Sequence, residues 1–360
     1  MQKKTVAVLF GGVSSEHDIS LKSVTSVLAH IPADRYDVIP VGITKDGRWL
    51  QFRGDHSLIE DGSWASHPEN RTAFFAPDHA VKGLVVDDSG KFTTIPVDVV
   101  FPVLHGKNGE DGTLQGLLQL QGIPFVGCDL ISSANCMDKA VTNTLLDAAG
   151  VPQANYLWLY SADYDKCRAQ IHKAVTEQLS GYPVFVKPAN AGSSVGVSKV
   201  HDESELDDAV AKAAKEDSKI VIEEAIIGKE VECAVLGNEE PKASVVGEVV
   251  TDADFYDFED KYINGTSQMR IPADLPEETM EAIRQTAVYA YRTLGCGGLS
   301  RVDFLIRESD GKFFLNEINT LPGFTNISMY PRLWEKTGLP YEELLDQLIQ
   351  LAFARTNTKG

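Results

Sequence analysis

The sequence predicts an α/β (α+β) protein, and three stretches support that prediction. Residues 5–10 are a short apolar run that ends at two glycines and leads into a helix-forming segment. Residues 97–104 are a second apolar run, which ends at His105. Residues 298–318 hold two strand-like runs separated by a short polar turn, as in a β-hairpin. Apolar strands that alternate with helices and are followed by a hairpin are typical of α/β and α+β domains.

Composition and charge restrict the class of protein. The chain has 360 residues, of which 43% are hydrophobic and 24% charged, and this predicts two or three domains with cores of their own. No apolar run is long enough to span a membrane, and the first residues predict a strand rather than a signal peptide. The net charge of −19 argues against a nucleic-acid partner, because such a partner requires a basic surface.

The cysteines indicate a compartment. The sequence contains five of them, and no two form a CxxC pair. An odd number without metal-binding spacing favours reduced thiols over a disulfide framework or a zinc site. We therefore expect a cytoplasmic protein without structural disulfides.

The hairpin is the first candidate site. A strand has a side-chain period of two, so Arg301 and Asp303 share one face of the first strand, and Glu317 and Asn319 share one face of the second. If the register brings these faces together, two carboxylates and an amide oxygen lie beside a guanidinium. Oxygen ligands of this kind suit a hard cation such as Mg²⁺. An exposed polar face without a metal is the alternative.

Two further candidates follow the apolar strands. Glu16 lies at the glycine-rich turn after the first strand, where it either binds an ammonium group or complements the dipole of the next helix. Ser15 and Asp18 resemble a capping box at the start of that helix. His105 ends the second apolar strand, which we expect to be central in its sheet, and it is either a ligand-binding or a structural histidine.

The chain divides into three predicted domains. Residues 1–130 form the first α/β domain, in which the stretch 53–96 is predicted to be an irregular polar elaboration. Residues 131–218 form a central domain, and residues 219–360 form the last one. Within the last domain, residues 251–270 contain aromatic side chains without a clear period, which predicts a lid or Ω-loop.

The central domain contains a predicted phosphate-binding loop. Lys187 ends an apolar strand, where a buried ammonium group is costly unless it meets an anion. Residues 189–196 are rich in glycine and serine, so their N–H and O–H groups can wrap a phosphate. Residues 192–196 also match the GxSxG motif of serine hydrolases. However, His201 is the only histidine after Ser194, and no acidic residue separates the two, which argues against a hydrolase.

Taken in order, the motifs resemble those of the D-alanine–D-alanine ligases of the ATP-grasp superfamily. The resemblance extends from about residue 5 to residue 350, and the stretches that carry it are Phe10–Gly12, Ser15–His17, His105–Gly112, Met137–Lys139, Val186–Pro188, Gly192–Gly196, Asp257–Tyr262, Arg301–Asp303 and Asn316–Ser328. It implies an ATP-grasp fold, with an N-terminal Rossmann-like α/β domain and two α+β domains that clasp ATP. It also implies ATP-dependent ligation of two D-alanines for peptidoglycan precursors, through an acyl phosphate, by a cytoplasmic homodimer.

The resemblance also implies roles for individual residues. Those implied in ATP binding are Lys139, Lys187, Ser193, Ser194, Glu223, Glu224, Ile226, Glu230, Lys261, Asn316 and Glu317. The implied ligands of two Mg²⁺ ions, which Mn²⁺ can replace, are Asp303, Glu317 and Asn319. The implied catalytic residues are Glu16, Ser193, Tyr262, Arg301 and Gly323, and those implied in substrate binding are Glu16, His105, Arg301, Gly323, Ser328 and Met329. Ser193 and Tyr262 would link the lid to Glu16, and Tyr262 implies a dipeptide product rather than an ester.

Two alternatives remain open. One is an ATP-grasp carboxylate–amine ligase with other substrates, and Glu16, His105 and Tyr262 argue against it because they belong to the amino-acid site. The other is a non-catalytic nucleotide-binding protein. Arg301 argues against this second alternative, because a pure binder needs no group that stabilises an oxyanion.

Overall fold

The computed structural model of the protein describes residues 2–192, 195–250 and 268–357. These residues form three sheets with helices packed against them. Among the helices in these ranges, none combines the length and the apolarity that a membrane crossing requires.

The first region contains one mixed sheet. Its strands are β1 (Lys4–Gly11), β2 (Tyr36–Ile43), β3 (Trp49–Gln51), β4 (Arg71–Phe75), β5 (Gly83–Asp88), β6 (Lys91–Pro96) and β7 (Val99–Leu104), in the order β6-β5-β4-β3-β2-β1-β7. Its helices are α1 (His17–His30), α2 (Thr113–Gln121) and α3 (Leu130–Met137). β1 runs parallel to β2 and to β7, and the remaining pairs are antiparallel. Because β1 and β7 are parallel neighbours, the turns that follow them lie at the same edge of the sheet.

Two predictions for this sheet are wrong. The stretch 53–96, predicted as irregular, contributes β4, β5 and β6. β6 is largely exposed, so its sequence lacks the apolar alternation that would reveal a strand. The strand predicted as central is β7, which lies at the end of the strand order. Residues 124–126 cover its outer edge through backbone hydrogen bonds of 2.9 Å to the N–H and the carbonyl of Val100, and this burial accounts for the apolar run.

The turn between β1 and α1 requires glycine and lacks the predicted capping box. Gly11 and Gly12 have φ angles of +87° and +104°, and a Cβ at Gly11 would lie 2.2 Å from the Ile43 carbonyl oxygen. Glu16 occupies the N-cap position of α1, but its side chain makes no capping hydrogen bond. The serine that forms a hydrogen bond at this turn is Ser14 and not the predicted Ser15. The Ser14 Oγ accepts the Glu16 N–H at 3.1 Å.

The middle region contains an antiparallel sheet with helices on it. Its strands are β8 (Tyr156–Tyr160), β9 (Val184–Pro188), β10 (Ser198–Val200) and β11 (Lys219–Glu224), in the order β10-β9-β11-β8, and its helices are α4 (Lys139–Ala148), α5 (Tyr164–Gln178) and α6 (Leu206–Ala213). Asp138 separates α3 from α4 and caps α4 by accepting the N–H groups of Ala140 and Val141, both at 3.1 Å. β11 pairs within this sheet, although the predicted boundary at 218/219 assigns it to the last domain.

The last region is an antiparallel sheet covered by three of the described helices. Its described strands are β12 (Gly228–Gly237), β13 (Lys242–Val250), β14 (Gln268–Arg270), β15 (Gly298–Arg307) and β16 (Phe313–Asn319), in the order β14-β13-β12-β15-β16, and its helices are α7 (Glu277–Thr293), α8 (Met329–Thr337) and α9 (Tyr341–Asn357). Sequence analysis did not predict α8, which is short and has Pro331 in its first turn. Of the predicted lid 251–270, only residues 268–270 fall within the described residues.

The last helix joins the first and last regions. Its residues Leu344, Leu345 and Leu348 are buried in the same core cluster as side chains of β1 and β7. Tyr36 of β2 donates a hydrogen bond to Asp346 at 2.6 Å, and Arg355 donates one to the Phe125 carbonyl at 2.9 Å. These contacts fix the two regions against each other and therefore fix the cleft between them.

Candidate active site

The β15–β16 hairpin brings its polar side chains together as the strand period predicts. Arg301 pairs with Asn319 and Asp303 with Glu317 in the register of the two strands. The Arg301 guanidinium binds both oxygens of Asp303, with Nε 2.7 Å from Oδ1 and Nη2 2.6 Å from Oδ2. Its Nε also lies 3.0 Å from Oε2 of Glu232 on β12. Burial would lower the pKa of Arg301, but the carboxylates of Asp303 and Glu232 outweigh it and hold that pKa well above its usual value.

The same hairpin has the donor set of a hard-cation site. The Asn319 amide nitrogen lies 3.1 Å from Oδ2 of Asp303 and 3.4 Å from Oε1 of Glu317. A half-turn of the Asn319 amide exchanges its N–H group for its oxygen, so two carboxylates and one amide oxygen can face a cation. In the described residues, no group of three or more His, Cys, Asp and Glu side chains suits a metal. The fit to Mg²⁺ therefore rests on oxygen chemistry that includes the amide.

A cleft next to the hairpin receives side chains from all three regions. Its volume is about 550 Å³, counted with its open mouth. The side chains and backbone that line it are those of Glu110, Cys136, Met137, Lys139, Thr142, Asn143, Ala191, Gly192, Asn316, Glu317, Ile318, Asn319 and Thr320. Of these residues, Lys139 supplies a cation, and Glu110 and Glu317 supply carboxyl groups.

Two lysines of the middle region lie at or near the cleft. Lys187, the residue before the last one of β9, forms an ion pair with Oε2 of Glu223. Oε1 of Glu223 accepts the amide of Asn143, a residue that lines the cleft, at 3.2 Å. Lys139, the first residue of α4, donates its ammonium group to the Ala191 carbonyl at 2.8 Å. Burial lowers the pKa of Lys139, and the Glu317 carboxylate opposes that shift. Two lysines that lie close to a glycine-rich loop form a suitable site for a polyphosphate.

The turns after β1 and β7 place Glu16 and His105 near the same cleft. Glu16 is 7% exposed, and a Cβ built on Gly106 or Gly192 would lie 2.5 or 2.6 Å from its Oε2. His105 contacts Ser23 Oγ through Nε2 at 3.2 Å and the Leu321 carbonyl through Nδ1 at 3.1 Å. Burial lowers the pKa of His105, and the Glu16 carboxylate counteracts part of this shift. A neutral His105 therefore accompanies a buried carboxylate.

Sequence analysis missed two carboxylates of the site. Glu110 accepts the Gly106 N–H through Oε2 at 2.6 Å, and burial, followed by the nearby Glu16 carboxylate, raises the pKa of Glu110 to about 8. Glu232 lies directly opposite Asp303 in the β12–β15 pair and is 4% exposed. Glu232 lies between Val231 and the apolar run of residues 233–236, and a carboxylate next to such a run was the available sequence signal for it.

Two family profiles match the chain over most of its length. The one described as D-ala D-ala ligase N-terminus matches residues 5–128, and the one described as D-ala D-ala ligase C-terminus matches residues 145–350. The chain belongs to the D-alanine–D-alanine ligase family. It is therefore an ATP-dependent ligase with the ATP-grasp fold.

Relatives in this family cover the whole chain. The D-alanine–D-alanine ligase of Acetivibrio thermocellus is 50% identical, with 99% of this chain and 97% of the relative aligned. That of Thermoanaerobacter sp. is 49% identical over 100% of this chain and 99% of the relative. Among solved structures, the VanG D-Ala:D-Ser ligase from Enterococcus faecalis has a TM-score of 0.89 and 39% identity, covering 98% of this chain and 100% of that one. The D-alanine–D-alanine ligase from Coxiella burnetii has a TM-score of 0.87 and 36% identity, covering 100% and 96%.

The D-alanine–D-alanine ligase resemblance also implicated residues in the loop after β16. Ser328, the N-cap of α8, has its Oγ 3.0 Å from the Thr325 N–H and 2.8 Å from the Thr325 hydroxyl. A Cβ on Gly323 would lie 2.9 Å from the same Oγ. Met329 is buried. The structure therefore brings Gly323 and Ser328 together at the end of the hairpin.

Of the remaining residues implied by the D-alanine–D-alanine ligase resemblance, four lie in the described part of the chain and four lie outside it. Glu224 accepts the Asn155 amide at 2.5 Å, and Ile226 is buried at the end of the middle sheet. Glu230 lies on β12, and Asn316 lines the cleft. The residues that lie outside the described part of the chain are Ser193, Ser194, Lys261 and Tyr262.

Proposed function

We propose that this ligase joins two D-alanines to D-alanyl-D-alanine, a peptidoglycan precursor, and converts ATP to ADP and phosphate. The observation that supports this reaction is the cleft, which is lined by Lys139, Glu110 and the hairpin carboxylate of Glu317 and has the buried Glu16 next to its Gly192. A polyphosphate and a small amino acid require such opposite charges on neighbouring walls.

In the first step, the carboxylate of one D-alanine attacks the γ-phosphorus of ATP. A P–O bond to the carboxylate forms, the bond to ADP breaks, and D-alanyl phosphate results. Lys139 and Lys187 hold the phosphates, while Glu16 binds the ammonium group of the D-alanine. The other residues proposed to surround the nucleotide are Ser193, Ser194, Glu223, Glu224, Ile226, Glu230, Lys261, Asn316 and Glu317.

Asp303, Glu317 and Asn319 would hold two Mg²⁺ ions, which Mn²⁺ can replace. Bound there, the ions supply positive charge that offsets the phosphate oxygens. In the structure Asp303 is already paired with Arg301, so the guanidinium shares this carboxylate with the cation site. The chain's own contribution is to keep the oxygens of the hairpin next to the phosphate-binding lysines.

In the second step, the amine of the other D-alanine attacks the carbonyl carbon of D-alanyl phosphate and loses a proton. A C–N bond forms, the C–O bond to phosphate breaks, and phosphate leaves. Arg301 and the Gly323 N–H stabilise the tetrahedral oxyanion. Ser328 and Met329 border the second D-alanine, and the neutral His105 lies next to Glu16 without adding charge.

The lid, the assembly and the compartment extend this proposal. By the family resemblance, Ser193 and Tyr262, which lie outside the described residues, would link the lid of residues 251–270 to Glu16 and would exclude water that hydrolyses the acyl phosphate. Tyr262 favours an amine over a hydroxy acid as the second substrate. We also propose a cytoplasmic homodimer. All of these statements rest on the family resemblance.

One structural relative suggests a second acceptor. The VanG protein, which has a TM-score of 0.89 to this chain, is described as a D-Ala:D-Ser ligase. D-serine differs from D-alanine by one hydroxyl group, and an apolar pocket rejects an added hydroxyl group only weakly. D-serine is therefore the second candidate for the acceptor position.

Phosphate release from Mg-ATP, with the product identified by mass, tests the proposal. The amino acids are D-alanine, L-alanine, D-alanine with D-serine, and D-alanine with D-lactate. Release with D-alanine but not with L-alanine, and formation of D-alanyl-D-alanine, is the expected result. Preferential formation of the mixed D-alanyl-D-serine product or of the D-lactate ester would overturn the acceptor assignment. No release with any pair would favour a nucleotide-binding protein.

A further inference from the structure

The backbone carbonyl of Leu321 is held by a residue of the first region. It accepts a hydrogen bond from His105 Nδ1 at 3.1 Å. His105 follows β7, and Leu321 lies in the loop after β16, so this hydrogen bond connects the turn after β7 with that loop. We call His105 and Leu321 the Leu321 clamp.

The contacts of His105 define its tautomer. A carbonyl oxygen only accepts hydrogen bonds, so the proton of the neutral ring must lie on Nδ1. Nε2 then accepts the hydroxyl hydrogen of Ser23, 3.2 Å away. Both ring nitrogens consequently have partners within the protein, and the ring holds backbone rather than presenting a free nitrogen to the cleft.

The clamp acts on a short and stiff segment. Pro322 follows Leu321 and has a fixed φ angle, and Gly323 comes next. On the far side, Phe324 is buried, with its ring centroid 6.0 Å from that of Phe101 and its carbonyl accepting the Tyr341 hydroxyl at 2.6 Å. The Gly323 N–H therefore lies between two anchored residues, and its direction depends on both.

We propose that His105 is a positioning residue, which holds Leu321 and thereby orients the Gly323 N–H toward the oxyanion of the second step. This inference rests on the proposed function, which gives Gly323 that role. An oxyanion donor stabilises the transition state only when its geometry is fixed in advance. The first step has no tetrahedral carbon, so loosening the clamp should slow the second step selectively.

Isotope exchange separates the two steps. In ATP labelled with ¹⁸O at the β,γ-bridge, reversible formation of D-alanyl phosphate moves the label to a non-bridging position, while the dipeptide reports the second step. His105→Gln moves the N–H donor to the position of Nε2, away from the Leu321 carbonyl. We expect the dipeptide rate to fall about 10- to 100-fold while exchange persists, because the donor of Gly323 is loosened and not removed, and complete removal of one such donor costs roughly 100- to 1000-fold. An equal fall in both rates would overturn the clamp in favour of a merely structural role.

A pair of His105 variants tests the clamp a second time. The Asn amide nitrogen can occupy a position near Nδ1, which holds Leu321, whereas the Gln amide nitrogen reaches the position of Nε2. His105→Asn should therefore retain more of the dipeptide rate than His105→Gln, at similar KM for ATP. The opposite order would overturn the clamp, because it would assign the important contact to Nε2.

The two proposals fail in different ways. Wild-type enzyme that shows neither D-alanine-dependent isotope exchange nor dipeptide would overturn the proposed function. Normal wild-type exchange and turnover, with no change in their ratio in His105→Gln, would overturn the Leu321 clamp alone. Thermal unfolding and calorimetric ADP binding on each variant verify that the fold and the nucleotide site are intact.

Discussion

The two sheets that border the cleft position their polar groups in different ways. In the first sheet, Glu16 and His105 follow the ends of parallel neighbours β1 and β7, so the strand topology places them. In the last sheet, Arg301 and Asp303 lie within β15 and face β16 in a fixed antiparallel register. The first arrangement depends on turns of the backbone, and the second depends on side-chain alternation.

This difference extends to the charges. On the hairpin, Arg301 is already paired with Asp303 and Glu232, so the charges are organised before any ligand binds. At the turns, burial and then the neighbouring Glu16 carboxylate disfavour the ionisation of Glu110. We therefore expect changes in the hairpin to reduce turnover, and changes at the turns to alter substrate affinity and the response to pH.

Glu317→Gln should give the largest effect. The substitution keeps the shape of the side chain but removes a carboxylate from the proposed cation site, so turnover should fall about a thousandfold while the fold remains intact. Phosphate release and circular dichroism measure the two properties. The matched control is Glu308→Gln in the exposed turn of the same hairpin, which should retain wild-type activity. Near-normal turnover of Glu317→Gln, or its unfolding, would contradict the expected role of the hairpin.

Arg301→Lys tests whether the two hydrogen bonds from Arg301 to Asp303 contribute to kcat in addition to the positive charge. Lysine keeps the positive charge but cannot bind both oxygens of Asp303, so kcat should fall about a hundredfold. Arg307 on the same strand provides the control, since it binds both oxygens of Asp310 at 3.0 and 2.7 Å in an exposed position. Arg307→Lys should leave kcat unchanged. Equal kcat values for the two variants would show that the hairpin needs only a cation.

Glu16→Gln should act on affinity rather than on turnover. The loss of an ion-pair partner for the ammonium group should raise the KM for D-alanine about tenfold and leave the KM for ATP unchanged. Asp18→Asn is the control, because Asp18 is an exposed carboxylate two residues away that pairs with Lys45 at 2.9 Å. A lower kcat with unchanged KM values would remove the distinction between turns and hairpin.

The sequence predicts those parts of the site that follow local rules. The period of a strand places Arg301 with Asp303 and Glu317 with Asn319, and the observed register confirms that these pairs face each other. A strand that ends in a turn likewise places His105 correctly at the edge of its sheet. Such features depend on a few neighbouring residues, so a single sequence is sufficient to reveal them.

Long-range pairing is what the sequence does not reveal. Glu232 reaches Arg301 only because β12 pairs with β15, and β11 joins the middle sheet by pairing with β8 and β9. His105 likewise contacts Leu321, which lies more than two hundred residues further along the chain. No local period connects residues at such separations, because tertiary packing determines those contacts.

The smallest expected effect is a pH dependence of stability that arises at the turns. In the folded, ligand-free protein, burial and then the neighbouring Glu16 raise the pKa of Glu110 from its ordinary 4.5 to about 8. Between these values the folded state binds a proton that the unfolded state lacks. The Glu110 contribution is therefore fully present below pH 4.5, and the free energy of unfolding falls as the pH rises toward 8.

Urea unfolding at pH 5.5 and pH 8 measures this contribution. Glu110→Gln cannot release the proton, so it should lose less stability than the wild type over this range, by at most roughly 1.4 kcal/mol per pH unit. Glu60→Gln, at an exposed carboxylate, should behave as the wild type does. Identical slopes for the wild type and Glu110→Gln would mean that Glu110 ionises normally. The negative charge of Glu110 would then be compensated as fully as the charge of Asp303 is by Arg301. The electrostatic contrast between the two sheets would disappear.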